Sequence, residues 1–206
     1  MAITISGSGI TSANIADGTI VNADVADVAA SKLTGALPAI SGASLTGVGK
    51  VLQVVSTTKT DVTSTTSTSF VDVTGLSVSI TPSSTSSKIL IIADVLMGAS
   101  NIFSFARLVR DSTAIAVSTV PGTNRVEASG GFATYAAGTT YTTKQVGINH
   151  LDTPSSTSAL TYKIQFQNRK TGGGTAYINS TSRDLDDAVG YDIRGVSSIT
   201  VMEIGA

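Results

Sequence analysis

The single histidine of the chain, His150, is followed two residues later by Asp152 in the stretch GINHLDTP. A histidine that catalyses a reaction or binds a metal needs a partner group, and Asp152 is the sole carboxylate nearby. On a β-strand the two side chains would point to the same face. Because no nucleophile motif accompanies the pair, we expect a hydrogen bond at the edge of a loop rather than a catalytic dyad.

A group of four carboxylates near the C-terminus offers oxygen ligands to a hard cation such as Ca²⁺. Their spacing differs from the D-x-D-x-D-G pattern of the EF-hand, and Arg183 and Arg194 can neutralise their charge. We therefore expect neither a metal ion nor a cofactor. The group consists of Asp184, Asp186, Asp187 and Asp192, and the first three of these are the candidate ligands if a cation binds.

Cleavage of a polysaccharide requires two carboxyl groups flanking the scissile bond, ~5–9.5 Å apart. The sequence contains two glutamates, Glu127 and Glu203, and Glu203 lies in the last predicted strand. Aspartate pairs are an alternative, but neither a Ser–His–Asp arrangement nor a nucleophile elbow accompanies them. The residues predict a noncatalytic protein, and a polysaccharide-cleaving enzyme is the enzymatic alternative.

Tyrosines are suited to carbohydrate binding, because an aromatic face with a polar tip matches a sugar ring. The alternative is that they pair across strands or cover the edge of a sandwich. We expect a ligand-binding surface within loops 121–143 and 170–195, because rigid scaffolds carry binding sites on loops. The candidate tyrosines are Tyr135, Tyr141, Tyr177 and Tyr191.

The composition indicates that β-strands position these residues. Of the 206 residues, 58 are Ser or Thr, 41% are apolar and only 13% are charged, a balance that suits pleated sheets.

The net charge of −1 comes without a basic cluster, so we expect no nucleic-acid partner. The longest apolar run is too short to span a bilayer, so we expect no membrane insertion. The opening residues lack a signal-peptide pattern, which predicts synthesis in the cytoplasm of the producing cell.

Alternating apolar and polar residues predict strands at 76–80 and 162–167, and SITVMEI predicts a last strand at 198–204. The stretch FSFARLVRDSTAIAV predicts two strands joined by a turn near Asp111. Residues 88–97 form a near-continuous apolar run, which is typical of a central strand covered on both faces. About eight such strands predict an all-β sandwich of jelly-roll type. Turn signals separate them at 63–69, 81–87, 121–131, 153–158 and 171–175.

The first 49 residues contain no aromatic residue and four charged ones, and they bury too little apolar area to order themselves. Aliphatic residues recur there every five positions, which is the period of neither a helix nor a strand. The spacing resembles pentapeptide-repeat proteins, but four repeats make about one coil of their square β-helix. Two alternatives remain: an axis shared between copies of the chain, or an extended leader with accidental spacing. The repeating residues are Ile10, Ile15, Ile20 and Val25.

The stretch LTGALPAISGASLTGVGKVLQVV at 33–55 resembles tail-fibre and related virion fibre proteins of bacteriophages, particularly short fibres of cyanophage type. In that family a similar linker joins a particle-bound stem to a distal head. The opening MAITISGSGIT is similar to the stems of the same proteins. The resemblance continues through FVDVTGLSVSITPSSTSSKILI at 70–91, LDTPSSTSALTYKIQF at 151–166 and SSITVMEI at 197–204. It weakens at 116–150 and 167–195.

The resemblance implies a homotrimer in which residues 1–49 form an extended, intertwined stem for attachment and trimerisation. Residues 50–206 would form the β-sandwich head. The stem would also contact other virion proteins of the tail, baseplate or capsid, which places the protein in the virion. The aliphatic residues expected at the trimer axis are Ile10, Ile15, Ile20, Val25, Leu33, Leu37, Ile40 and Leu45.

The function that follows from the resemblance is adhesion of a noncatalytic fibre to a glycan or protein of the host surface, with loops 121–143 and 170–195 and their four tyrosines as the receptor-facing surface. A purely structural component of the tail, baseplate or capsid fibre is the main alternative. An envelope-polysaccharide depolymerase is the third possibility, and its cleavage of host polysaccharide would release new reducing ends.

Overall fold

The computed structural model describes residues 50–99, 103–119, 124–134, 141–169, 173–186 and 190–205. The stem predictions, from Ile10 to Leu45, lie outside the described residues, and so do Tyr135 and Asp187. The division into a stem of residues 1–49 and a head of residues 50–206 therefore stays a prediction. Within the described residues, no helix is long and apolar enough to cross a membrane.

The regular structure of the described residues consists of β-strands. Eight of them are the main strands of two packed sheets, and β2, β6 and β10 are three-residue additions. In chain order they are β1 (Val51–Lys59), β2 (Thr63–Thr65), β3 (Val71–Ile80), β4 (Lys88–Ala99), β5 (Phe103–Arg110), β6 (Thr113–Ile115), β7 (Gly130–Ala133), β8 (Thr143–Asp152), β9 (Leu160–Asn168), β10 (Ala176–Ile178) and β11 (Ser197–Ile204).

The pairing of the main strands defines a jelly roll. One sheet has the order β1-β11-β4-β8, and every pair in it is antiparallel. The second sheet has the order β3-β9-β5-β7, again antiparallel throughout. Successive main strands mostly alternate between the two sheets, which is the double Greek-key path of a jelly roll. The predicted all-β, jelly-roll-like sandwich is thereby confirmed.

The core lies between the two sheets and follows from the period of two along each strand. In β3 the side chains of Leu76, Val78 and Ile80 are buried while the serines between them are exposed. In β9 the aromatic residues Tyr162 and Phe166 are fully buried. The alternating patterns in the sequence thus predicted these two strands and their buried faces correctly.

The first sheet has two ends that matter for function. At the entry end, β1 begins and β11 finishes, because Val51 pairs with Ile204 and Ile204 pairs with Lys88. At the loop end, β4 finishes and β8 begins, because Gly98 pairs with Thr143. Ten residues of β4 separate Lys88 from Gly98, which is about 33 Å of extended chain. The two ends are therefore well separated along the sheet.

Two strand predictions need correction. The run at 88–97 is a central strand, but its second face is not covered by described residues: Leu90 is half-buried and Ile92 is exposed. The turn segments 63–69 and 121–131 contain β2 and the start of β7. These short strands form because they pair with β10 and β5, which a local pattern cannot reveal.

Candidate functional site

Two of the predicted tyrosines meet at the loop end. Tyr141 lies two residues before β8, and Tyr191 lies in the segment that joins β10 to β11. Their rings pack edge to face with centroids 5.6 Å apart and an interplanar angle of 84°. Tyr191 is 62% exposed, and Tyr141 is exposed as well. The two receptor-facing loops of the prediction therefore contribute to one aromatic surface.

Arg183 connects this aromatic pair to the carboxylates. Its guanidinium carbon lies 4.9 Å from the ring centroid of Tyr141, within cation–π range, and its Nη1 donates to the Tyr141 hydroxyl at 2.9 Å. Its Nε and Nη2 atoms contact Oδ2 of Asp192 at 2.9 and 2.8 Å. From the sequence, Arg183 was expected only to neutralise charge, whereas in the structure it also contacts the ring and the hydroxyl of Tyr141.

Two of the described aspartates, Asp184 and Asp192, are each paired with an arginine. Asp192 also accepts from the hydroxyl of Thr181; this bond and the guanidinium of Arg183 lower the pKa of Asp192 despite partial desolvation. Asp184 is held by Arg194, whose Nε and Nη2 donate to Oδ1 and Oδ2 at 2.5 and 2.9 Å. Among the described residues, no group of three His, Cys, Asp or Glu side chains is placed to hold a metal ion.

A shallow cleft of about 270 Å³ opens beside these ion pairs. Its walls mix carboxylates, a guanidinium and exposed aliphatic side chains, so it offers hydrogen-bonding groups and apolar contact together. This combination suits a sugar or a polar peptide segment better than a purely apolar ligand. The lining residues are Asp184, Leu185, Asp186, Asp192, Ile193 and Arg194.

The base of the segment is fixed by Asn179, which is fully buried and has a φ of 68°, a conformation that asparagine tolerates. Its backbone N–H donates to the carbonyl of Leu96 at 2.8 Å, and its carbonyl accepts from Gly195 at 3.0 Å. Its side-chain amide donates to the carbonyls of Lys59 and Asp61 at 2.8 and 3.1 Å. We call residues 179–196 the site loop, since they carry most of the cleft.

The neighbouring Gly98 allows the site loop to cross close to β4. A Cβ atom placed on Gly98 would lie 1.9 Å from the carbonyl oxygen of Ser180, a distance that no side chain can occupy. Ser180 also forms an isolated antiparallel bridge with Arg194. The absence of a side chain at Gly98 therefore allows the backbone of Ser180 and Thr181 to lie directly against β4.

Three other described candidates lie within strands. Tyr177 is in β10, opposite Gly98 of β4 and Ser64 of β2. His150 is half-buried in β8 opposite Ile91. Asp152, which shares its face, accepts instead from Arg110 and from the hydroxyl of Tyr162. This hydrogen-bond set joins the two sheets.

The glutamates show no arrangement for glycoside cleavage. Glu127 is exposed, whereas Glu203 in β11 is 1% exposed. Burial alone would raise the pKa of Glu203, but hydrogen bonds from Ser83 and Gln53 outweigh it and lower the pKa to about 2. A general acid needs a raised pKa and access to substrate, and Glu203 has neither.

No protein-family model matches the sequence, and no curated protein matches it. Among solved structures, the D431N mutant of the VP2 protein of infectious bursal disease virus, in derived T=1 particles, shares 16% identity at a TM-score of 0.37. That match covers 75% of this chain and 36% of the VP2 chain. The VP2 subviral particle of the same virus shares 14% identity at a TM-score of 0.36, over 75% of this chain and 38% of that one. The chain spans less than two fifths of either protein, and similarity at this level carries neither function nor assembly over to it.

Proposed function

We propose that the chain is a noncatalytic structural protein of a virus particle, in which it presents a host-binding surface on trimeric heads. The long sequence resemblance to phage fibre proteins supports this role, and the jelly-roll sandwich agrees with the head that the resemblance implies. Residues 1–49 attach the protein to the tail, baseplate or capsid of the virion. The site loop and Tyr141 face the host.

The observation that carries the proposal is that the chain enters the first sheet at one end, while the exposed tyrosines lie at the other end. The first strand of the head, β1, starts with Val51 at the entry end, whereas Tyr141 and Tyr191 lie at the loop end. A fibre head requires this polarity, because the attachment point and the adhesive surface must lie on opposite sides. The separation along β4, about 33 Å, leaves the loop end free when the entry end is attached.

The chemistry of the loop end favours a carbohydrate ligand. Tyr191 offers an exposed aromatic face, and Asp186 offers exposed carboxylate oxygens at the edge of the cleft. Single contacts of this kind bind weakly, but three heads on one fibre act with a high effective concentration. Host adhesion therefore results from avidity rather than from one deep pocket.

Binding of the purified full-length chain to an array of bacterial surface polysaccharides tests the proposal. We expect Tyr191→Ala to weaken binding about tenfold, the ratio that corresponds to ~1.4 kcal/mol of lost contact. Tyr177→Phe is the matched control, because that residue lies in β10, and it should bind like the unchanged protein. Equal binding by the Tyr191→Ala variant would contradict the assignment of the loop end. New reducing ends released from a bound polysaccharide would instead support the depolymerase.

A purely structural role is the second candidate, and one observation favours it. Leu185 and Ile193 are large apolar residues that are exposed at the same cleft, as expected at a contact with another protein. A cryo-EM map of the particle distinguishes the two roles. A solvent-facing loop end supports adhesion, and a loop end covered by another virion protein supports the structural role.

A further inference from the structure

The outer face of the first sheet carries a row of apolar side chains that crosses all four main strands. Val54 on β1 pairs with Met202 on β11, Met202 pairs with Leu90 on β4, and Leu90 pairs with Leu151 on β8. Paired residues in adjacent strands point to the same face of a sheet. These four side chains therefore form one continuous band, on the face turned away from the core.

Further apolar residues widen this band toward the entry end and along β4. Leu52 is 54% exposed, Val54 55% and Leu151 49%, and Ile92 on the next row is 36% exposed. Large aliphatic residues so exposed and so close together are unusual on a free surface. We call this surface the apolar face; its residues are Leu52, Val54, Leu90, Ile92, Leu151 and Met202.

The distribution of charge on this side of the sheet permits contact between identical surfaces. Along the outward positions of β1, β11 and β4, the charged residues are Lys88 and Asp94, one of each sign. The outward positions beyond the apolar face include Ser and Thr residues on β1 and β11, such as Ser56 and Thr200, whose hydroxyl groups hydrogen-bond to each other at 2.8 Å. No accumulation of like charge on these strands opposes association of two copies.

The width of the apolar face indicates what covers it. Four strands at ~4.8 Å spacing make a band about 14 Å wide, and a single extended segment covers about one strand width. A second sheet face, packed at a distance of ~10 Å, covers the whole band. β1 also starts at the entry end of this same sheet, so copies tethered through the chain before Val51 would be joined next to their apolar faces.

We propose that the apolar face is the surface through which the heads of separate copies of this chain associate. The inference deepens the proposed function and rests on it for the number of copies, three. Three sheets whose apolar faces point to a common axis enclose an apolar prism, and each copy supplies one wall. The burial of Leu90 and Ile92 in this prism would restore the strand covered on both faces that the sequence pattern predicts.

The absence of cysteine from the sequence allows a direct test on the full-length chain. Val54→Cys and Leu151→Cys are prepared separately, with Thr74→Cys as the control, because Thr74 is exposed on β3 of the other sheet. Light scattering gives the mass of each variant, and a bulky maleimide reports the accessibility of each thiol. We expect trimers in which both apolar-face thiols react at least about tenfold more slowly than the control, as protected groups do.

Every other outcome overturns the proposal in a distinguishable way. Trimers with reactive thiols at both positions leave the proposed function standing but place the interface elsewhere. Monomers with reactive thiols contradict both the interface and the trimeric fibre. Monomers with protected thiols show that residues 1–49 of the same chain cover the apolar face.

Discussion

Asp152 and Arg110 join the two sheets of the jelly roll. Nη1 of Arg110 on β5 donates to both carboxylate oxygens of Asp152 on β8, at 2.9 and 2.7 Å. The hydroxyl of the fully buried Tyr162 donates to the same carboxylate at 2.7 Å. Burial, and then the negative charge and hydrogen bond of Asp152, raise the pKa of Tyr162, so the hydroxyl stays protonated and remains a donor.

Replacement of Asp152 by Asn should therefore lower the free energy of unfolding by about 3 kcal/mol, because it leaves a partly buried guanidinium without its counter-charge. Asp72→Asn is the control, since the ion pair of Asp72 with Lys163 is exposed and should contribute less than ~1 kcal/mol. Urea denaturation of both variants measures the difference. Similar small losses for the two variants would show that the contact between the sheets contributes little.

Glu203 predicts a specific loss of stability in acid. Its folded-state pKa of about 2 lies below its ordinary value of 4.5, so its stabilising contribution is present above about pH 4.5 and disappears as the pH falls toward 2. The full contribution is about 3 kcal/mol at neutral pH. Glu203→Gln should therefore be less stable than the unchanged protein at pH 7, and the difference in their free energies of unfolding should be smaller at pH 3. Denaturation midpoints of both proteins at the two pH values measure this difference. A difference that does not change with pH would refute the prediction.

Gly98→Ala should disturb the site loop, because the added methyl group cannot fit beside the carbonyl of Ser180. Overpacking of this kind costs about 1–3 kcal/mol. Gly147→Ala on β8 is the matched control, since its Cβ would find its nearest neighbour, an oxygen of Asp94, at 3.5 Å. Hydrogen exchange should show faster exchange in residues 179–196 for the first variant alone. Unchanged exchange there would mean that the loop is positioned by other contacts.

Asn179→Ala should lower the stability of the protein by removing the hydrogen bonds that hold the base of the site loop. The substitution removes the side-chain hydrogen bonds to the carbonyls of Lys59 and Asp61 and the bond that Asn179 accepts from Ser197 at 2.6 Å. Unsatisfied buried partners cost about 1–3 kcal/mol, and alanine also tolerates the positive φ less well. Thermal unfolding measures the loss. Ser84→Ala, in an exposed turn, is a suitable control and should change stability little.

The sequence allowed the sandwich to be predicted because strands such as β3 and β9 each show their buried face in a period of two. The short strands β2 and β10 were not predicted, because three residues are too few to show a period and their pairing partners lie far away in the chain. The tyrosines at the loop end were identifiable by type. Their partner Arg183 was not, because its contacts with Asp192 and Tyr141 depend on how the site loop folds back.

The two contacts that hold the base of the site loop, Asn179 in its buried hydrogen bonds and Gly98 beneath Ser180, have an evolutionary consequence. The six residues that line the cleft lie outside the packed core between the sheets, so different side chains can occupy these positions while the scaffold keeps folding. Asn179 and Gly98 therefore mark where a loop of different sequence, and with it a different ligand preference, can be grafted.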